Sequence, residues 1–173
     1  LRDHSEHHAT SIQEIFLRPD EAYIAYTMFF LPKIKFSLPV SVFTEAECRN
    51  IQAPALMETL PRMRLNRHTA RSIVHGPMKF GGLMIPDMYA EQGLGQLRMF
   101  LGHLRVGDQT GKLILTAMSY LQLIVGSTRL FLNLPFPAYA KWMEKSWLAS
   151  LWQFLYINKL TVLVQKHYTP SPP

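Results

Sequence analysis

Prolines decide what this chain can build. Helical stretches are interrupted at Pro32, Pro39, Pro54 and the Leu134-Pro-Phe-Pro137 run. A proline inside a helix removes one backbone hydrogen bond and clashes with the carbonyl four residues earlier. A single long helical rod is thereby excluded. Between these breaks the apolar residues recur mostly with helical rather than alternating spacing. The prediction is a mainly α fold, a helical bundle of about five helices with a small β-hairpin or extended loop near 72–85. The 173 residues suffice for a sizeable core. The single cysteine, Cys48, excludes an intrachain disulfide and a Cys-rich zinc site.

Residues 1–19 read as a flexible, weakly structured lead-in. Asp20 and Glu21 open a helical run that Pro32 ends or kinks, since acidic side chains suit the positive end of a helix. Thr44-Glu45-Ala46-Glu47 has the form of a capping box, and its helix is expected to reach about Leu60, kinked at Pro54, with Ile51, Ala55 and Leu56 inward. Asp87 caps a helix to about Leu104, whose inward face is read from Leu94, Leu97, Leu101 and Leu104. Leu113, Ala117, Tyr120, Leu121 and Ile124 form the next face. A last helix is expected over about 138–155. Trp142, Trp147 and Trp152 within it are five residues apart, so they spiral around its axis and read as packing residues. Residues 158–173 read as a tail.

Enzyme signatures are missing. Gly107-x-x-x-Gly111-Lys112 is one residue short of a phosphate loop and is followed by Leu113 where a hydroxyl should hold magnesium. Gly93-x-Gly95 has Arg98 where a third glycine should pack. The His-rich start, His4, His7 and His8 with Asp3 and Glu6, could place His4 and His8 on one helix face as metal ligands, but its terminal position favours a solvated segment. Glu45 and Glu47 are explained by capping, and no aspartate pair able to hold two magnesium ions is present. No catalytic residue, metal ligand or cofactor is assigned to this chain.

One feature rises above background. No acidic residue lies between Glu58 and Asp87, while the span holds Arg62, Arg64, Arg67, Arg71 and Lys79 with His68 and His75. Arginine's planar fork matches phosphate oxygens. Asn66 adds a neutral donor, and Gly81 and Gly82 let backbone approach a strand closely. A basic loop over 61–86 therefore suits sugar-phosphate contact by Arg62, Arg64, Asn66, Arg67, His68, Arg71, Lys79, Gly81 and Gly82. The chain carries a formal charge of +6, yet only 17 % of its residues are charged. That is below the usual ~25 % and leaves apolar surface short of charged cover. The longest apolar runs fall short of the ~20 residues a membrane helix needs. The expectation is an intracellular chain, part of a larger protein, that does not span or lie on a membrane.

Several segments then coincide with a known pattern. Leu31-Pro32-Lys33, Phe43-Thr44-Glu45-x-Glu47-Cys48 and Leu60-Pro61 are followed by Asn66-Arg67, Gly76-Pro77, Phe80-Gly81-Gly82-Leu83 and Tyr89-x-Glu91-Gln92-Gly93. Leu101-Gly102-His103-Leu104-Arg105 and the distal Trp142, Trp147-Leu148 and Leu151-Trp152-x-Phe154-Leu155 complete the order. This resembles the region just after the polymerase palm in reverse-transcriptase-like proteins of non-LTR retrotransposons, over roughly residues 20–157. The resemblance implies a helical thumb-like domain over 20–157 that holds an RNA–DNA or DNA duplex against a palm on the same polypeptide. The magnesium of such proteins belongs to that palm. The alternative is a standalone or degenerate helical protein-interaction module whose basic loop is merely solvated.

Overall fold

The computed structural model describes residues 1–163. The fold is mainly α. Among the described residues five helices of eleven residues or more carry it: α1 (Arg2–Glu14), α4 (Glu45–Arg62), α6 (Met88–Val106), α7 (Gln109–Val125) and α9 (Trp147–Ile157). Shorter pieces α2 (Pro19–Ile24), α3 (Leu31–Lys35), α5 (Arg71–Val74) and α8 (Phe136–Tyr139) connect them. Part of the expected tail, 164–173, lies outside the described residues.

Proline chemistry shapes the first half. Pro32 does not end the helix that begins at Pro19. Instead the turn widens over Ala25–Phe30, where the Leu31 N–H donates to the Tyr26 carbonyl five residues back. The wider turn accommodates a ring that cannot sit in an ordinary α-turn, and α3 resumes beyond it. In α4 the ring of Pro54 disturbs the local ladder, and the next donor, the Ala55 N–H, reaches Ser5 Oγ at 3.2 Å. Ser5 is fully buried there.

That contact corrects the reading of residues 1–19 as a flexible lead-in. Residues 2–14 form α1, which lies along α4 and buries Ser5, Ala9 and Ile12. An isolated helix of this length is marginal in water, so its order comes from packing. His8 stacks on Phe30 at 4.9 Å and meets Tyr26 edge-on. Its Nε2 is buried without a partner.

The chain has two apolar cores. The first joins Tyr26, Phe30, Ile34 and Leu38 to Ile51, Leu56 and Leu60 of α4, with Val74 and Ile85 from the loop region. The second gathers Phe100 of α6, Ile114 and Leu121 of α7, Phe131, Leu132, and Leu148, Leu151, Trp152 and Leu155 of α9. Helices α6 and α9 belong to both. They cross where Gly93 faces Phe154: a Cβ on Gly93 would lie 2.2 Å from the buried Phe154 ring. Trp152 is wholly buried, donates Nε1–H to the Leu134 carbonyl at 2.8 Å, and meets Phe131 and Phe136 edge-on. The Leu134-Pro-Phe-Pro137 run thus closes over it.

Two expected faces point elsewhere. On α6 the buried line is Tyr89, Gln92, Gly93, Gln96 and Phe100; of the four expected leucines, Leu97 and Leu104 pack partly buried against the second core, whereas Leu94 and Leu101 are 41 % and 49 % exposed. The glutamines are inside because the chain before α4 offers them backbone partners. Gln92 accepts from the Phe43 N–H and donates to the Phe43 carbonyl, and Gln96 donates to the Ser41 carbonyl. On α7 Leu113, Tyr120 and Ile124 face solvent, and only Leu121 of the five expected face residues is buried. The last helix starts at Trp147, not near 138; Trp147 packs against the second core and Trp142 is 65 % exposed.

No β-hairpin forms near 72–85. Residues 71–74 make a helical turn, in which the N–H groups of Val74 and His75 bond back to Ala70 and Arg71. The carbonyls of Ile73, Val74 and Gly76 still accept from Leu83, Ile85 and Met84. The loop is therefore cross-tied, but half of the ladder a hairpin would need is used locally.

Two stability tests follow from this packing. At an open helical site Gly→Ala stabilises by about 1 kcal/mol; nothing lies within 4 Å of a Cβ on Gly102, so Gly102→Ala raises the unfolding free energy by about that amount. Gly93→Ala, on the same helix, lowers it by about 2 kcal/mol because overpacking a core outweighs the propensity gain. Denaturant unfolding of both variants checks the opposite signs. His8 provides the second test. Burial, then the charges of Lys33 and His7, lowers its pKa from 6.5 to about 4. Between those values the unfolded chain binds more protons, so His8 leaves stability intact above pH ~6.5 and erodes it as pH falls towards ~4. His8→Phe keeps the stack and flattens that part of the pH–stability curve.

Candidate nucleic-acid interface

The acid-free span begins at the end of α4. There the chain closes with the Leu65 N–H on the Leu60 carbonyl and the Arg64 N–H on the Pro61 carbonyl. This is the Schellman arrangement, whose αL position glycine usually fills. Here it is held by Arg64 at φ 62°. A non-glycine residue in this conformation costs about 1 kcal/mol. The Arg64 side chain is exposed there.

The remaining candidates divide by what already holds them. The Arg62 guanidinium donates to the Gln13 carbonyl at 2.9 Å, tying down the last turn of α1. Cations favour that end of a helix. Arg67 pairs with Glu58 at 3.4 Å, so the acid just before the span neutralises one of its arginines. Asn66 Oδ1 accepts from the His68 N–H at 2.8 Å, and the Thr69 hydroxyl donates to the Asn66 carbonyl. Asn66 thus shapes the turn that exposes Arg67 and His68. Lys79 lies over the exposed Phe80 ring at 4.8 Å. Arg64 and Arg71 carry no ion pair or side-chain hydrogen bond among the described residues.

The glycines serve the loop's own folding. Gly82 packs on Gly76, where an added Cβ would lie 2.2 Å from the Gly76 carbonyl oxygen. Gly81 takes φ 80°, with open space around it. Together with the backbone bonds to residues 73–76 they fix Met78–Phe80 as a projecting turn that carries Lys79.

Among the described residues, the exposed, unpaired cations of the span are thus Arg64, Arg71 and Lys79, distributed along one cross-tied segment. Preset positions let such groups meet an anion without first ordering a mobile chain. Sequence reasoning missed Arg49 and the pocket side of His75. Arg49 on α4, together with Asn50, borders the same polar recess as Arg71, Ser72 and His75. The i, i+1 pair of Arg49 and Asn50 lies outside the acid-free span, so no linear signal joined them to it.

The phosphate-loop look-alike is a helix junction. Gly107 takes the αL position that ends α6, and Asp108 caps α7 by accepting from the Gly111 N–H at 2.7 Å. Gly111 itself packs against the His103 carbonyl. Its amide is used by the cap rather than presented to a ligand. Among the described residues no group of three His, Cys, Asp or Glu side chains is placed to hold a metal ion, and no helix is long and apolar enough to cross a membrane.

Because Arg64 occupies a glycine position, Arg64→Gly separates charge from folding. The variant is expected to gain about 1 kcal/mol of stability while losing one surface cation; thermal unfolding beside the native chain checks it, and a less stable variant would show that Arg64 makes a structural contact. No family model matches the chain, and neither the curated proteins nor the solved structures contain a match.

Proposed function

We propose that segment 61–86 contacts the sugar-phosphate backbone of an RNA–DNA or DNA duplex, in a helical domain that acts by positioning and carries no catalytic group of its own. The observation that supports this most is the set Arg64, Arg71 and Lys79, exposed and free of acidic partners on a segment held by its own hydrogen bonds. Phosphate contacts of this type fix register and orientation without reading bases. The resemblance to the thumb-like region of retroelement reverse transcriptases supplies the setting. There the helices would form the wall behind the duplex, and a palm on the same polypeptide would carry the magnesium and the polymerisation chemistry.

A second reading, a protein-interaction module, is favoured by a different surface. Helix α7 has one charged residue in seventeen, Lys112. Its Leu113 and Tyr120, 63 % and 61 % exposed, line a groove of about 450 Å³ with Trp142 and Trp147. Apolar surface of that kind marks a face that another protein surface covers. In the thumb-like reading, the palm or a neighbouring domain covers it.

A salt titration decides between them. With Arg62 and Arg67 held by protein partners, three cations remain to neutralise phosphates, and at ~0.9 per phosphate log K should fall against log salt with a slope near −3. Arg64→Gly reduces the slope by about one and weakens unrelated duplex sequences alike. An unchanged slope in the folded variant, or no duplex binding at low salt, would leave the interaction module as the reading.

A further inference from the structure

A recess of about 600 Å³ lies between α4 and the turn α5. Arg49 and Asn50 border it from α4, and Arg71, Ser72 and His75 from the other side. Its inner wall includes Gln52, whose amide is already spent on Tyr26 Oη and the Pro86 carbonyl at 2.9 and 2.8 Å. The two guanidiniums thus come from elements on opposite walls of one concavity. Among the described residues Arg71 carries no ion pair, and Arg49 is paired with Glu45 one turn away on the exposed helix surface. Such exposed pairs are weak and exchange readily for a better anion.

One carboxylate, Asp87, also borders the recess. Its Oδ1 accepts from the Ala90 N–H at 2.9 Å as the cap of α6, which fixes the carboxylate in place, and its Oδ2 lies 3.8 Å from His75 Nε2, so its charge is set against the two arginines. The His75 ring is fixed from its other side, where Nδ1 donates to the Ile85 carbonyl at 2.8 Å. The arginines, the Asn50 amide and the Ser72 hydroxyl remain as donors to an incoming group.

Donors that converge from two walls suit an anion with free oxygens on several sides. An internal phosphodiester offers two free oxygens and needs two exits for its ester arms. A phosphomonoester offers three oxygens, carries more charge and needs one exit. We propose that the recess binds a terminal phosphate group, supplied by the 5′ or 3′ end of a nucleic-acid strand or by a free phosphomonoester. The strand source rests on the duplex-binding reading above; the phosphate chemistry of the recess does not.

The test compares one hybrid duplex with a 5′-phosphate, a 3′-phosphate or hydroxyl ends, and adds inorganic phosphate alone, followed by thermal shift and by the amide signals of residues 49–50 and 71–75. The expected result is about tenfold tighter binding of one phosphorylated end than of the hydroxyl-ended duplex, since charge-assisted bonds to arginine are the strong ones. Arg49→Gln brings that ratio to one, and the readout is the ratio of phosphorylated-end to hydroxyl-end affinity of the same variant. Normal salt-dependent duplex binding with end ratios of one, and no response to phosphate in the recess, would overturn this proposal and leave the duplex reading standing. No duplex binding together with a phosphate response that Arg49→Gln abolishes would sink the duplex reading and keep the recess as a phosphomonoester site. A phosphate response unchanged in Arg49→Gln would overturn the recess, since the anion would then sit elsewhere.

Discussion

The close crossing of α6 and α9 at Gly93 is the contact on which the rest depends. A helix with a side chain at that position could not bring its backbone against the Phe154 ring. Without that approach Tyr89 and Phe154 would leave the first core, and Phe100 and Trp152 the second. The two cores are small, and neither is closed by its own elements alone. Helices α6 and α9 contribute side chains to both, and the segment that carries the basic residues hangs from the first of them through Val74 and Ile85, both fully buried.

Buried glutamines extend that arrangement into the irregular parts. A side-chain amide inside a core is unfavourable unless both its donor and its acceptor are used. Gln92 meets this by pairing with both backbone groups of Phe43, so the residue entering the cap of α4 is fixed to the second turn of α6. Gln52 uses its amide N–H groups alone, donating to Tyr26 Oη and to the Pro86 carbonyl and so joining the widened turn to the start of α6. The amides are spent on holding connecting chain in place. Apolar side chains at those positions would pack but would leave backbone groups of 41–43 and 86 without partners.

Local signals in the sequence were informative where the physics is local. The capping box at Thr44 and Glu47 forms, Asp87 caps α6, and Gly107 stops it, because each needs only residues within one turn. The inward face of α6 was not legible from its leucines. Which face is buried depends on the unpaired carbonyls at Ser41 and Phe43, about fifty residues away, and hydrophobic periodicity does not register them. The order of α1 was hidden for a similar reason: the donor that Ser5 accepts is displaced by a proline at position 54. For the site, the deficit of acids between 58 and 87 was visible, but which cations stay free was not. Arg62 is consumed by the Gln13 carbonyl at the end of α1, and Arg67 by an acid at the edge of the span.

What remains after that consumption bears on why the segment is basic at all. Cations that cap a helix or pair with a carboxylate contribute to the fold and explain themselves. Arg64 does neither. It occupies a left-handed position that glycine would fill without strain, and it exposes its charge there. Arg71 faces a recess whose one bordering carboxylate, Asp87, caps α6 and makes no ion pair with it among the described residues. The same left-handed closure ends α9 at Lys159, so the conformation belongs to the helix end, and what Arg64 adds to it is an exposed charge. Stability alone would favour glycine at 64 and gains nothing from the Arg71 charge. The cost is accounted for if an anion sits against this surface, with the cross-ties from residues 83–85 keeping the arginines in position before it arrives.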